Sequence, residues 1–163
     1  MMDATDYLTR QHRTLEAALR KALDTDDAGA ERSQALDIAD ALTLHLASEE
    51  QVFYPAVHEG ENEDILLESL EEHLAIKRLL ADLLELPGGD PTFQPKLHVL
   101  MEQAEHHHKE EENKLFPKVR AEMDADRRAA LGSELEALQD RLQLEGKPRH
   151  AVREQTDVAE PLR

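Results

Sequence analysis

Apolar residues recur along this chain at steps of three and four, the spacing that lines one face of an α-helix. The pattern predicts helices in five places. The first covers residues 3–24, with Leu8, His12, Leu15 and Leu19 on one stripe, and the polar stretch 24–29 breaks it. The second covers residues 30–58 through Ile38, Leu42, His45, Glu49 and Val52, and Gly60 marks its end before a polar link at Asn62. The third, residues 63–86, carries Leu66, Leu70, His73, Lys77, Leu80 and Leu84 on its inward stripe. The run Pro87-Gly88-Gly89-Asp90-Pro91 is the clearest breaker in the chain. The fourth helix, residues 93–123, aligns Leu97, Leu100, Ala104, His107 and Glu111. The fifth, residues 124–144, is amphipathic through Leu131, Leu135, Leu138 and Leu142, with Gly146 and Pro148 as its stop signal. Residues 147–163 are polar and are expected to be disordered.

The stripes also repeat. His45-x-x-x-Glu49-Glu50 with Phe53-Tyr54-Pro55 and Val57 aligns with His107-x-x-x-Glu111-Glu112 with Leu115-Phe116-Pro117 and Val119, and His12 aligns in the same way with His73. Each half is therefore a helix with one inward histidine, followed by a helix with His-x-x-x-Glu and a later proline. Two such hairpins docked together make an all-α, up-down four-helix bundle with pseudo-two-fold symmetry, and the fifth helix is an addition to it. The expected division is a bundle over residues 1–123, an amphipathic C-terminal helix packed on it over 124–146, and the tail 147–163. Pro55 and Pro117 remove a backbone donor late in their helices and read as kinks.

Composition sharpens this picture. Aromatic residues make up only 3 % and tryptophan is absent, which favours helices over sheets. The formal net charge of −17 argues against binding a nucleic-acid backbone or an anionic membrane. With no cysteine there is no disulfide, thiolate site or thiol nucleophile. Residues 1–10 lack an apolar signal core and no apolar run spans a bilayer, so the expected location is the cytoplasm. A monomer or weak homodimer is expected.

Positions i and i+4 share a helix face, so His45 and Glu49 point one way, as do His107 and Glu111. With His12 and His73 from the other two stripes, four helices can focus six polar side chains on one small volume. Burying unpaired carboxylates and imidazoles costs several kcal/mol each, roughly 2–7 even for uncharged polar groups, and cations would offset that cost. Imidazole nitrogen with carboxylate oxygen suits iron, manganese or zinc. The two glutamates are the natural bridges, which leaves two histidines for each of two ions.

The order His12, then His45-x-x-x-Glu49, then His73, then His106-His107 with Glu111 resembles the hemerythrin-like HHE cation-binding domain over residues 3–122. That resemblance implies a non-haem di-iron centre, oxo- or hydroxo-bridged, with His12, His45, Glu49, His73, His107 and Glu111 as ligands. It further implies a protein that reacts with dioxygen, peroxide or nitric oxide, a role in oxidative stress, and a di-iron oxidoreductase that consumes peroxide as one form of it. The alternative is an oxygen- or iron-binding, sensing or storage protein without turnover. Oxygen-carrying members place a second histidine one turn after the third-helix one, where this chain has Lys77. A protonated lysine has no lone pair, so each iron is expected to keep an open position and Lys77 to reach a glutamate or solvent instead. His106 and His108 are expected at the rim, each an alternative to His107. Tyr54 is expected nearby, in packing, as a hydrogen-bond donor or as a redox-active group. Glu50 and Glu112 are expected to face outward, and His58, His98 and His150 to be exposed.

Overall fold

The structure, a computed structural model, describes residues 2–58 and 60–163; Met1, the first residue of the expected bundle, lies outside them. It is helical, with no strand among the described residues. Helix α1 (Ala4–Leu23) starts where the Asp3 carboxylate accepts from the N–H groups of Thr5 and Asp6. Asp27 caps α2 (Ala28–Ser48) and Asp124 caps α7 (Ala125–Glu145) in the same manner. Helix α3 (Tyr54–Val57) continues α2, α4 is Glu63–Glu85, α5 is Phe93–Glu110, and α6 (Phe116–Glu122) continues α5.

Helices α2–α3 and α5–α6 are single rods, each interrupted by one π-helical turn, at Glu49–Phe53 and Glu111–Leu115. The Tyr54 and Phe116 N–H groups donate to the carbonyls of Glu49 and Glu111, five residues back. Pro55 and Pro117 come directly after these bonds. The local departure expected at the prolines is thus an inserted residue before each ring, a device that recurs at functional sites.

Helix α1 packs on α2 and α5, and α4 packs on α2 and α5, closing a ring of four rods. Their inner faces form two apolar layers. One contains Leu15, Leu19, Leu42, Leu46, Leu80 and Leu97. The other contains Leu8, Phe53, Leu66, Leu70, Leu115 and Phe116. His12, His45, His73 and His107 lie along the rods between these layers. The α4–α5 turn seats itself on the start of α2, where a Cβ on Gly88 would stand 2.0 Å from the Ala28 carbonyl oxygen. Helix α7 packs on α1 and α2.

The expectation of a disordered tail is corrected. Pro148–Gln155 forms a 3-10 helix against α2 and α4, with Val152 fully buried. Arg149 pairs with Asp40 at 2.8 Å, and Arg78 donates to the carbonyls of Thr156 and Asp157. One apolar anchor and a few arginines suffice to hold a polar segment whose own pattern has no helical stripe. Replacing Val152 by alanine is expected to lower unfolding free energy by about 1.5 kcal/mol, measured by urea denaturation. Truncation before Lys147 is expected to lower it further and to leave metal content in the cold unchanged.

Candidate metal centre

The structure brings His12, His45, Glu49, His73, His107 and Glu111 into one volume, all fully or almost fully buried. Glu49 Oε1 lies 3.4 Å from His45 Nε2, 3.2 Å from His73 Nε2 and 3.5 Å from His107 Nε2. Glu111 Oε1 lies 3.2 Å from His12 Nε2 and 3.3 Å from His107 Nε2. Each glutamate therefore spans two groups of imidazoles, one around His12 and His45 and the other around His73 and His107.

A fifth imidazole joins them. His108, expected at the rim, is buried, and its ring stacks on that of His12 with centroids 3.9 Å apart. His106 is exposed, with Nε2 3.2 Å from Glu72. Successive helical positions differ by about 100°, so two neighbours can share an inward face while the third points away. His98 and His150 are exposed as expected, whereas His58 is half-buried, with Nδ1 3.3 Å from the Arg163 carbonyl oxygen.

The outer nitrogens explain the orientation of every ring. His12 Nδ1 donates to Glu112 at 2.7 Å and His73 Nδ1 to Glu50 at 2.8 Å. These are the second glutamates of the two repeats, each reaching the inward histidine of the opposite hairpin, so their expected outward orientation is corrected. His45 Nδ1 donates to Gln11 and His107 Nδ1 to Glu72, both at 2.8 Å. His108 Nδ1 donates to Glu16 at 3.1 Å. In the neutral ring, a proton fixed on Nδ1 leaves the lone pair on Nε2, facing inward. Sequence reasoning missed Gln11, Glu16 and Glu72. The available signal was position: Gln11 and Glu72 each precede an inward histidine, and Glu16 follows His12 by one turn.

Lys77 is buried and its ammonium sits 2.9 Å and 2.8 Å from the two oxygens of Glu50. Tyr54 is buried beside His73 and His107, where its hydroxyl donates to Glu111 at 2.9 Å and lies 3.1 Å from His73 Nε2. Phe116, the repeat partner of Tyr54, stacks near His12 instead. The two sides of the centre are thus unlike: three imidazoles on one, two imidazoles and a phenol on the other.

Several buried polar atoms make no protein hydrogen bond: Nε2 of His12, His45 and His108, both oxygens of Glu49, and Glu111 Oε1. Buried polar atoms are nearly always bonded, so a convergent set of orphans calls for a cation. Nitrogen and carboxylate oxygen without sulfur suit iron, manganese or zinc. Burial and the adjoining Glu111 charge push the Glu49 carboxyl above its ordinary range. Against burial, His107, Glu49 and His12 hold Glu111 well below it. Burial also opposes a proton on His12, but Glu111 and Glu112 raise it to about 9. Burial lowers His108 to about 4.

Residues 3–119 match the family model of the hemerythrin HHE cation binding domain. A solved structure of a hemerythrin HHE cation binding domain-containing protein from Mycobacterium kansasii superposes with a TM-score of 0.80 at 20 % identity, covering 93 % of this chain and 98 % of that one. A curated relative, a DNA nickase of Nostoc sp., is 23 % identical over 142 residues, which are 87 % of this chain and 40 % of the relative. The chain thus spans well under half the length of that protein. No helix among the described residues is long and apolar enough to cross a membrane.

Proposed function

This chain belongs to the hemerythrin HHE cation binding domain family, and we propose that it holds two iron ions bridged by Glu49 and Glu111 and acts on dioxygen, peroxide or a related small oxidant. The observation that carries this reading is the convergence of five Nε2 atoms, each on a ring whose Nδ1 is held by a named acceptor. His12, His45 and His108 would hold one ion; His73 and His107, with the Tyr54 hydroxyl beside them, would hold the other. The histidine that Lys77 replaces has its counterpart in number on the opposite side, as His108. Bound iron would supply electron transfer to or from an oxygen-containing small molecule.

The chain's own residues set the conditions for that chemistry. Apolar layers above and below exclude bulk water and larger substrates. A surface cleft of about 320 Å³, lined by Tyr7, Gln11, Leu15, Ala41 and His45, lies beside the three-histidine side. Tyr54, its pKa raised well above 10.0 by burial and by Glu111, stays protonated and its O–H donates a hydrogen bond to Glu111 Oε2.

Anaerobic reconstitution with ferrous iron tests the reading. About two irons per chain are expected by elemental analysis, as for other carboxylate-bridged bundle sites. Spectra should then change on adding oxygen or peroxide, with catalytic loss of peroxide. Stoichiometric zinc with iron excluded would overturn the metal assignment, and a stable, reversible oxygen complex without peroxide loss would favour a carrier. Loading is also expected to release protons. In the metal-free protein His12 holds a proton up to about pH 9, and His73 and His107, despite burial, are raised by Glu49 and Glu111 respectively among other carboxylates. Iron must displace these protons, so its affinity should rise with pH through that range, and a weakly buffered titration with indicator dye should read the released acid.

A further inference from the structure

Four of the five inward histidines are oriented by carboxylates, but His45 is oriented by the Gln11 amide. A carboxylate accepts through either oxygen. An amide accepts at one end and donates at the other, so Gln11 could serve His45 in two opposite ways. With its oxygen toward Nδ1, it fixes the proton there and leaves Nε2 free for a metal. With its nitrogen toward Nδ1, it would force the proton onto Nε2 and block that atom.

The structure contains the means of choosing. Ser48 Oγ donates to the Leu44 carbonyl at 2.7 Å, a group that can only accept. The Ser48 oxygen therefore accepts from Gln139 Nε2, 2.8 Å away, which fixes the direction of the Gln139 amide. Gln139 Oε1 then accepts from Gln11 Nε2 at 2.7 Å and from the Tyr7 hydroxyl at 3.0 Å. Its Nε2 donates to Gln11 Oε1 at 3.0 Å, closing a reciprocal amide pair that turns the Gln11 oxygen toward His45. Ser48 is fully buried and Gln139 nearly so.

We propose that Gln139, on helix α7 and beyond the residues that match the family model, is a positioning residue that sets the tautomer of His45 through Gln11. Helix α7 thereby acts on the metal site through Gln11. The effect on metal rests on the di-iron reading, but the tautomer itself exists without metal.

The test uses Gln139→Met, close in length and volume, Ser48→Ala, and the double variant Gln139→Met with Gln11→Glu. Nitrogen-15 NMR of the metal-free full chain reads the His45 tautomer, and anaerobic competition against a chelator reads ferrous iron affinity. The parent should carry the His45 proton on Nδ1. Gln139→Met and Ser48→Ala should move it toward Nε2, and Gln139→Met should weaken one iron roughly 10–100-fold, the range for lost outer hydrogen bonds to a ligating histidine. Adding Gln11→Glu should restore both readouts, because a carboxylate needs no orienting. A merely structural role for Gln139 would not be rescued by that change. An unchanged tautomer in Gln139→Met, or failure of the double variant to restore it, overturns the proposal. If the parent takes up no iron but the tautomer responds as stated, the relay stands and the iron reading alone fails.

Discussion

Replacing Glu49 by methionine is expected to reduce iron from the proposed two per chain to one or none and, in the same variant, to make the metal-free protein more stable. Neither oxygen of Glu49 makes a hydrogen bond, its imidazole neighbours standing 3.2–3.5 Å from Oε1, and burial with the neighbouring Glu111 pushes its carboxyl above the usual 4.5. A group in that condition weakens the metal-free fold, and removing it should raise unfolding free energy by about 1–3 kcal/mol, the cost of an unsatisfied buried polar group. The pH dependence follows. A carboxyl whose folded pKa is raised contributes stability below its unfolded pKa and loses it as pH rises through the folded one. The gain in Glu49→Met should therefore be present at neutral pH and vanish as pH falls below 4.5. Glu111→Met should remove iron equally, but it should destabilise the metal-free protein, because the Tyr54 hydroxyl donates to Glu111 Oε2 and the His107 and His12 charges hold its carboxyl well below the ordinary range. Elemental analysis and urea denaturation of the two chelated variants check both halves. Matching stability losses in both would mean that Glu49 is a structural partner rather than a residue kept for a cation.

Lys77→Met is expected to cost about 3–5 kcal/mol of stability, the range for removing one partner of a buried ion pair. Glu50 lies between Lys77 and His73 and is held below its ordinary pKa by both, despite burial. Without the ammonium its charge is left with one imidazole in an apolar setting. Iron content in the cold should survive, since the Glu50–His73 bond remains. The double variant Lys77→Met with Glu50→Leu should recover most of the stability, because no buried charge is left over. That same variant should lose roughly 10–100-fold in affinity at the His73 position, where Nδ1 has lost its acceptor. Stability and metal affinity would thus separate in one pair of proteins. A Lys77→Met variant as stable as the parent would show that Glu50 finds water or another donor at no cost.

Periodicity by itself determined the helices, their approximate ends, and the placement of His12, His45, Glu49, His73, His107 and Glu111 on inward stripes. These follow from helical spacing within one rod, and the internal repeat supplied the pairing of rods. The tertiary structure decided what depends on a neighbour. Which of His106, His107 and His108 faces inward depends on the rotation of the α5–α6 rod within the bundle, so His108 could not be placed by its own helix. Glu50 and Glu112 stand one position past the central glutamates, and only the docking of opposite hairpins gives each a histidine to hold. The tail has no periodicity of its own and is ordered by a pocket for Val152 and by Asp40 and Arg78, residues far away in sequence. Gln11 reads as an ordinary surface amide until α7 brings Gln139 against it, because the polarity of an amide is set by its partners and not by the chain that carries it.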